Sequence, residues 1–537
     1  MNVLLDKWIP VYLKDGTKTT IAPHEIVNDL DSNPAVRLAF NRPDLEATMV
    51  EFLIGSLQTF YCPDERIEER DWKYVLQNPP DSETLRGAFE AFSPCFNVLG
   101  DGVRFMQDRS VPNSINKEDC HPGSLLIDFD ANQAHFGKRR MKSLCLNCTA
   151  AVLYTFQVRA NMGGRGNMQN VRSGNAFTTL VKGETLWETC WLNVISKGAL
   201  EKYQSKMDGD NIFLWKDNSL EANGKEKRLK AIFPWVMDST EGLELAYDNI
   251  SVLHSYWQMP RRVFIQNTEH GRCMLCHEER MCVTNLISCP QGIKYAGKSR
   301  FHALSPLVEK KESDGTTYYD FYGHKEYGTR YKHWLSLTRT EPAACVASAI
   351  RRNRAKKLWA FGYVCERKLA LAWDEGEFPV ISLGDELCES DIANIIRIMI
   401  NMASNAAELL QKHASKAVAP IAKGKKNRIK YVGKAPFAAL FWEASENDFY
   451  QHVSRLPDIF SDNAEVGEIL SGWARKVKRC AIEVFDCLFD HLTDVSAFDF
   501  ESIRIVAQHR SELIDGLNKF HTPRKEGKRD SDRISAG

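Results

Sequence analysis

Two Cys-x-x-Cys pairs constrain this 537-residue chain more than any other feature of its sequence. Cys145 and Cys148 form the first pair, and Cys273 and Cys276 form the second. Two-residue spacing lets both thiolates of a pair reach one ion, and two such pairs complete the tetrahedral four-sulfur shell of a structural zinc. The sequence therefore predicts a zinc site that joins two segments far apart along the chain.

The long gap between the pairs leaves the complete ligand set open. In a compact zinc ribbon the two pairs lie close together, so Cys282 and Cys289 are alternative partners for Cys273 and Cys276. Reduced thiols without metal are the other alternative. The cysteine count of 15 is odd, which favours a reducing compartment over a framework of disulfides.

Composition narrows the class of protein. Apolar residues make up 43% and charged residues 26%, as in ordinary globular proteins, and the length predicts more than one domain. Basic and acidic residues balance at 70 each, so any nucleic-acid contact must come from local patches. No signal-peptide pattern or long apolar run is present, so we expect a cytoplasmic protein with no membrane segment.

The hydrophobic pattern changes near residue 386. Residues 1–385 mix short apolar runs, turn signals and a few helical stretches, including a helix for which Asp44 is the expected N-cap, which predicts an α+β domain. Residues 386–520 show four helical periods and predict a four-helix bundle, and 521–537 are expected to be a disordered tail. The two strongest periods use Ile392, Ile395, Ile396, Met399, Ala403, Ala406 and Leu410, and Val466, Ile469, Leu470, Trp473, Val477, Cys480, Val484 and Leu488.

A glycine-rich segment follows the first cysteine pair and contains Gly163, Gly164, Arg165 and Gly166. Glycine has no Cβ, so such a loop can press its backbone against a ligand such as the floor of a DNA minor groove. The segment lacks the pattern of a dinucleotide or phosphate-binding loop, and an ordinary flexible turn is the alternative. No HExxH, GxSxG, deaminase or helicase motif is found, so an enzyme is not favoured.

Short segments along nearly the whole chain resemble, in the same order, the large subunit (CasA type) of the type I-E CRISPR Cascade complex. The first is the opening Met1–Val11. The others are Arg104–Asp108, Cys145–Ala150, Gly163–Gly166, Thr178–Gly183, Tyr256–Pro260, Cys273–Cys276, Ser305–Pro306, Gly362–Tyr363 and Trp373.

The resemblance implies a non-catalytic subunit with a mixed N-terminal domain and a C-terminal four-helix bundle. Members of this family lie near the 5′ end of the guide RNA, read the protospacer-adjacent motif in double-stranded DNA and promote strand opening and R-loop formation. They also dock a helicase-nuclease. The expected partners are therefore the other Cascade subunits, the CRISPR guide RNA, the target duplex and that nuclease.

The resemblance also assigns DNA-binding residues. The family's minor-groove loop matches Gly163, Gly164, Arg165 and Gly166, where the arginine replaces an expected glycine and puts the motif preference in question. The wedge that splits the first base pairs falls at Glu366, Arg367 and Lys368, although this chain lacks the glutamine that some relatives use there. Lys294 and Lys298 are candidates for the lysine finger, with Lys294 preferred.

The loop from Phe129 to Cys148 resembles the family loop that reaches the guide end of the complex. Asn132, Gln133 and Phe136 are its candidate contacts, because an aromatic ring beside basic residues suits stacking together with phosphate binding. The alternative is an ordinary surface loop.

Two other functional classes stay open at this point. The first is a zinc-dependent nucleic-acid-processing enzyme, which would need an open metal position and a general base. The second is a helical scaffold that only bridges other proteins. The sequence specifies neither the motif bases, the bundle face that meets partners, nor the DNA affinity of the isolated subunit.

Overall fold

The computed structural model describes most of the chain. The described residues are 1–61, 69–128, 141–161, 166–172, 174–196, 229–247, 250, 252–297, 300–323, 328–340, 342–366, 369–383, 386–418, 437–493 and 500–519. Contacts divide the chain into two compact units. The first comprises Met1–Thr329 and Ser336–Val380, and the second comprises Arg330–Leu335 and Ile381–Gly537.

The helices of the first unit are short, and its strands are distributed over several small sheets. The helices are α1 (Pro43–Ser56), α2 (Glu69–Gln77), α3 (Ser82–Glu90), α4 (Leu146–Val158), α5 (Leu186–Leu192) and α6 (Ala344–Arg351). The strands are β1 (Ile9–Leu13), β2 (Lys18–Ile21), β3 (Ala35–Leu38), β4 (Glu118–Cys120), β5 (Leu144–Cys145), β6 (Thr178–Val181), β7 (Glu244–Ala246), β8 (Arg262–Arg272), β9 (Glu279–Cys289), β10 (Lys294–Ala296), β11 (Leu307–Lys311), β12 (Thr317–Phe321), β13 (Lys357–Glu366) and β14 (Leu369–Pro379).

Antiparallel pairing dominates the sheets. Strands β2, β1 and β3 form one sheet, and β14, β13 and β6 form another. The longest sheet has β9 at its centre, paired with β8, β4 and β5. Two further pairs are antiparallel β11–β12 and parallel β7–β10.

Helix α1 lies inside the first unit and is buried on nearly all sides. Its buried residues include the polar Thr48 and Glu51 as well as the apolar side chains. The ring of Phe52 contacts Trp8, Phe105, Tyr154 and Trp257 edge-on, at centroid distances of 5.3–6.2 Å. These edge-to-face contacts between aromatic rings build the core around α1.

The helical prediction for this segment is confirmed, but its start is wrong by two residues. Helix α1 begins at Pro43, with Arg42 at the N-cap position and Asp44 in the first turn. Asp44 instead accepts a hydrogen bond from Arg42 at 2.9 Å and one from the Tyr363 hydroxyl at 2.5 Å. A carboxylate in the first turn is favourable there too, because the helix dipole is positive at this end.

In the part of the second unit that the structure describes, four long helices are present. They are α7 (Glu386–Val418), α8 (Phe437–Ile459), α9 (Asn463–Thr493) and α10 (Phe500–Asn518). Helices α8 and α9 pack around Tyr331, whose ring stacks on Phe449 at 4.3 Å and lies edge-on to Trp473 at 6.2 Å, and whose hydroxyl lies 2.9 Å from Ser445 Oγ. Trp473 is fully buried and donates a hydrogen bond to the Met399 carbonyl at 2.9 Å.

Mixed helices and strands followed by this helical cluster confirm the predicted α+β class. The tail predicted at 521–537 lies outside the described residues. Among the helices that the structure describes, none is both long and apolar enough to cross a membrane.

Candidate zinc centre and nucleic-acid surface

The four cysteines of the two Cys-x-x-Cys pairs meet in the first unit. Their Sγ atoms all lie within 4.8 Å of one another, and Cys145 Sγ is 3.7 Å from Cys276 Sγ. Four sulfurs bound tetrahedrally at about 2.3 Å from zinc would be separated by about 3.8 Å. The geometry of Cys145, Cys148, Cys273 and Cys276 therefore fits a four-thiolate metal site.

Local structure explains how each pair presents its thiols. Cys145 ends β5 and is the N-cap of α4, and Cys148 lies in the first turn of that helix. Cys273 and Cys276 lie in the turn between β8 and β9, where the Cys273 amide donates to the Glu278 carbonyl at 2.9 Å. The amide of Met274 donates to the Ser143 carbonyl at 3.0 Å, which joins the two segments.

The thiols perturb one another's proton affinity. Hydrogen bonding to the neighbouring thiols, Cys145 first, raises the pKa of Cys148 far above its usual range. A hydrogen bond from Cys148 lowers the pKa of Cys276 to about 7. Metal binding requires thiolates and releases the thiol protons, so a zinc ion would replace the hydrogen bonds among the four thiols with metal–sulfur bonds.

The alternative ligands Cys282 and Cys289 lie outside this cluster. Cys282 faces Cys145 across the β5–β9 pair, and its thiol donates to the Gly271 carbonyl at 3.2 Å. Cys289 packs with Val111 and Ile287 in a small apolar core. Among the described residues the structure therefore groups Cys145, Cys148, Cys273 and Cys276 and leaves these two cysteines outside the cluster.

The cysteine cluster and the residues that flank the glycine segment lie at opposite ends of the same two elements. Helix α4 starts at Leu146 beside the cysteines and ends at Val158, and its 13 residues span about 20 Å. Strand β9 pairs with Cys145 at Cys282 and ends at Cys289, which adjoins Pro290. Both elements thus connect the cysteine cluster to residues that flank the glycine segment or contact Gly166.

Gly166 anchors the end of the glycine segment. Its φ is +84°, and its carbonyl accepts a hydrogen bond from the Gln291 amide at 2.8 Å. A Cβ added there would lie only 2.7 Å from Pro290 Cβ. The glycine at this position is therefore required by the backbone itself, before any contact with DNA is considered. Gly163, Gly164 and Arg165 lie outside the described residues.

Lys294 is close to this anchor along the chain. It begins β10, three residues after Gln291, so its Cα is within about 11 Å of that of Gln291. Its side chain is half exposed and forms an ion pair with Glu244 at 2.9 Å. Such an exposed pair is weak, which leaves the ammonium group available to a phosphate. The rival Lys298 lies outside the described residues.

The strands of the proposed wedge contact a residue that follows the glycine segment in the chain. Strands β13 and β14 form a hairpin in which Glu366 pairs with Leu369, and Arg367 and Lys368 lie outside the described residues. Next to Glu366, the thiol of Cys365 donates to the Gly174 carbonyl at 3.3 Å. A Cβ at Gly174 would collide with the side chain of Asn161, the residue that precedes the glycine segment.

The predicted guide-end contacts Asn132, Gln133 and Phe136 lie outside the described residues, but both flanks of their loop are described. On one side Arg42 forms an ion pair with Asp128 at 2.9 Å. On the other, the Gly123 amide donates to the Met141 carbonyl at 3.0 Å.

One cluster near the glycine segment is not detectable from the sequence. Glu51 of α1 forms an ion pair with Arg159, which directly follows α4. It forms a second ion pair with Arg172 at 2.8 Å. All three side chains are at least 95% buried. Arg159 and Arg172 flank the glycine segment, so Glu51 holds both of its ends. No spacing rule links a glutamate to arginines so distant along the chain.

Comparison with known proteins agrees with this architecture. The family model described as CRISPR-associated protein Cse1 matches residues 2–484. The crystal structure of CasA from Thermus thermophilus is 15% identical with a TM-score of 0.63, and the match covers 96% of this chain and 99% of that one. Thermobifida fusca Cse1 is 14% identical with a TM-score of 0.62, covering 96% and 98%.

A chain from a structure described as a CRISPR RNA-guided surveillance complex is also similar. It is 12% identical with a TM-score of 0.59, and the match covers 96% of this chain and 99% of that one. At these identities the structural matches establish a shared fold. The family match is decisive for membership: this chain belongs to the CRISPR-associated protein Cse1 family, and its resemblance to the CasA-type large subunit is confirmed.

Proposed function

We propose that this chain recognises the protospacer-adjacent motif in duplex DNA for an RNA-guided surveillance complex and starts opening of the strands. Membership of the Cse1 family supports its place as the large subunit. A protein of similar fold comes from a structure described as a CRISPR RNA-guided surveillance complex. The other Cascade subunits, the guide RNA and the target duplex are therefore its proposed partners.

The observation that carries this proposal is a set of contacts among residues that flank three segments, all of which the family resemblance assigns to DNA binding. The glycine segment ends at Gly166 against Gln291, and Lys294 follows Gln291 by three residues. The wedge hairpin joins the same neighbourhood through the contact of Cys365 with Gly174. A minor-groove loop, a phosphate-binding lysine and a strand-separating hairpin require such proximity, because all three act within a few base pairs.

Each element has a distinct physical role in the proposal. Gly163 and Gly164 admit close approach of the backbone to the groove floor, while Arg165 enters a narrow minor groove, where the negative potential is strongest. Arg367 replaces base stacking with its guanidinium plane, with Lys368 and Glu366 beside it. The guide RNA supplies the long-range sequence specificity, so only this short readout is required of the protein.

The zinc proposal follows from the donor set. Four thiolates from Cys145, Cys148, Cys273 and Cys276 complete a tetrahedral shell and leave no open position for substrate or water. Such closed sites are structural, which supports a non-enzymatic subunit over a zinc-dependent nucleic-acid-processing enzyme. DNA cleavage is then the work of a recruited helicase-nuclease.

The guide-end loop completes the proposal. Asn132, Gln133 and Phe136 are proposed to contact the end of the guide RNA. The zinc centre restrains the end of this loop through Ser143. The Ser143 carbonyl accepts a hydrogen bond from the amide of Met274, which lies between Cys273 and Cys276 of the second pair. Zinc therefore supports the guide-end loop on one side and α4 on the other.

The test uses complete surveillance complexes assembled with variant subunits. Gly164→Val is expected to reduce binding selectively for duplexes with the correct motif. Arg367→Ala is expected to retain motif docking but to lose R-loop formation, since melting costs on the order of 1 to 2 kcal/mol per base-pair step. A target already melted beside the motif should rescue Arg367→Ala.

Two control substitutions make the test specific. Gly102→Val changes a glycine whose Cβ direction is open, and Arg280→Ala removes an exposed arginine on β9. Neither should affect motif binding or R-loop formation. If Arg367→Ala reduces R-loop formation equally on fully paired and pre-melted targets, Arg367 is not the wedge. Metal-dependent DNA cutting by the purified subunit, without any nuclease partner, would contradict the non-enzymatic assignment.

A further inference from the structure

A second cluster of metal-binding side chains lies in the helical unit, remote in sequence from the cysteines. His413 of α7 faces His509 and Glu512 of α10, and one ligand atom from each lies within 4.8 Å of the other two. The Glu512 carboxylate oxygen Oε2 is 3.1 Å from His509 Nδ1 and 3.4 Å from His413 Nδ1. A tetrahedral ion bound at about 2.0–2.1 Å would separate its ligand atoms by about 3.3 Å.

The state of His413 supplies independent support for a ligand. Its side chain is 93% buried, yet Nδ1 has no hydrogen-bond partner among the residues that the structure describes. A buried nitrogen without a hydrogen bond is costly, and a cation bound by both this nitrogen and Glu512 would satisfy it.

The surroundings hold the carboxylate in place and leave it reachable. Gln508 donates a hydrogen bond to the other carboxylate oxygen of Glu512 at 2.8 Å, as the outer partners of metal ligands commonly do. The Glu512 side chain is 42% exposed and lines an open groove of about 770 Å³, which gives an ion a path of entry. The groove is also lined by Glu408 and Asp515 and by Lys412 and Lys519.

Helix packing brings the ligands across the interface. Gly516 lies one turn after Glu512, and a Cβ there would be 3.1 Å from Leu409 Cδ1. The missing side chain lets α10 approach α7 closely at this level, so that His413 reaches the His509–Glu512 pair. Two imidazoles and one carboxylate are the donors preferred by zinc and its neighbours in the first transition series.

We propose that His413, His509 and Glu512 bind a divalent transition-metal ion that joins α7 to α10. Water from the open groove completes the coordination shell. This inference is independent of the proposed DNA function, because it concerns only the stability of the helical unit. Its tests therefore succeed or fail whether or not the chain recognises DNA.

The experiment titrates Zn²⁺ into the full chain after the cysteine site has been filled and excess metal removed. Isothermal calorimetry is expected to show one further equivalent. His413→Asn and Glu512→Gln should weaken that binding at least about tenfold, since the loss of outer-shell partners alone weakens metal sites about 10- to 100-fold. His452→Asn is the matched control, because His452 lies on α8 with its Nδ1 2.6 Å from the Asp448 carbonyl.

Two measurements separate the proposal from misfolding and from cysteine chemistry. Circular dichroism without added metal shows whether each variant folds, and Zn²⁺ should raise the melting temperature of the wild type but not of His413→Asn. Co²⁺ bound at this site should absorb without a thiolate charge-transfer band. Absence of a further equivalent, a thiolate band, or equal weakening by His452→Asn would overturn the proposal and leave a simple histidine–glutamate contact.

Discussion

Replacing Glu51 with glutamine would leave two buried guanidinium groups without their carboxylate. Glu51, Arg159 and Arg172 are 98%, 95% and 99% buried in their side chains. Removing one partner of a buried ion pair typically costs about 3–5 kcal/mol, because the remaining charge stays desolvated. Glutamine keeps the size of the side chain, so the loss reports charge rather than a cavity.

The expected effect is local opening of α1 and α4 and of the flanks of the glycine segment. A cost of about 3–5 kcal/mol corresponds to an increase of roughly 10²- to 4 × 10³-fold in the opening equilibrium. Hydrogen–deuterium exchange measured on peptides from residues 43–56 and 146–158 detects this directly. A global denaturation curve is less suitable, because a chain with two compact units does not unfold in one two-state step.

The dependence on pH gives the effect a signature. Burial alone would raise the pKa of Glu51, but Arg159 and Arg172 outweigh it and hold the pKa below its ordinary value of 4.5. The ion pair therefore contributes fully above pH 4.5, and its contribution is lost as pH falls through the lower pKa of the folded state. The difference between wild type and Glu51→Gln should be largest at neutral pH and should narrow below pH 4.5.

Glu46→Gln is a matched control on the same helix. Burial raises the pKa of Glu46 from 4.5 to about 7, so the folded wild type loses stability as pH rises through this range. The glutamine variant should avoid that loss and exchange more slowly than wild type at mildly alkaline pH. If Glu51→Gln leaves exchange unchanged, or behaves like Glu46→Gln, the charge network does not hold this region together and the reasoning fails.

Two further predictions concern the zinc centre and the glycine segment. Metal analysis should find one zinc ion in the cysteine site. Cys148→Ser should lose most of this zinc, whereas Cys282→Ser should retain it. Equal loss of zinc from both variants would refute the ligand set. Gly166→Ala should speed exchange near Pro290 even without DNA, because a positive φ costs a side chain about 1–2 kcal/mol. Unchanged exchange would mean that the loop is not anchored there.

The features predictable from sequence were those encoded by short-range pattern. The spacing of Cys145 and Cys148 predicted a pair of metal ligands, because two residues between the cysteines let both thiols reach one ion. Periodicity predicted the long helices around Met399 and Trp473, since one apolar face repeats over many turns. Both kinds of signal depend on neighbours within a few residues.

The remaining features depend on partners distant in the chain. The structural need for glycine at Gly166 arises from Pro290, and the state of His413 depends on Glu512 in another helix. Asp44 carried the signature of an N-cap, yet Pro43 at the first helical position and the hydrogen bond from Tyr363 decide its place. Tertiary contacts set these details, and no local pattern contains them.

The anchoring of the glycine segment has a consequence for how this protein can change. Its ends are held by Gly166, by Gly174 against Asn161, and by the ion pairs of Glu51, all outside residues 162–165. Substitutions within 162–165 therefore leave these supports untouched. If the proposed function holds, residues 162–165 can change one at a time, in evolution or by design, while the contacts that support their flanks stay under separate selection.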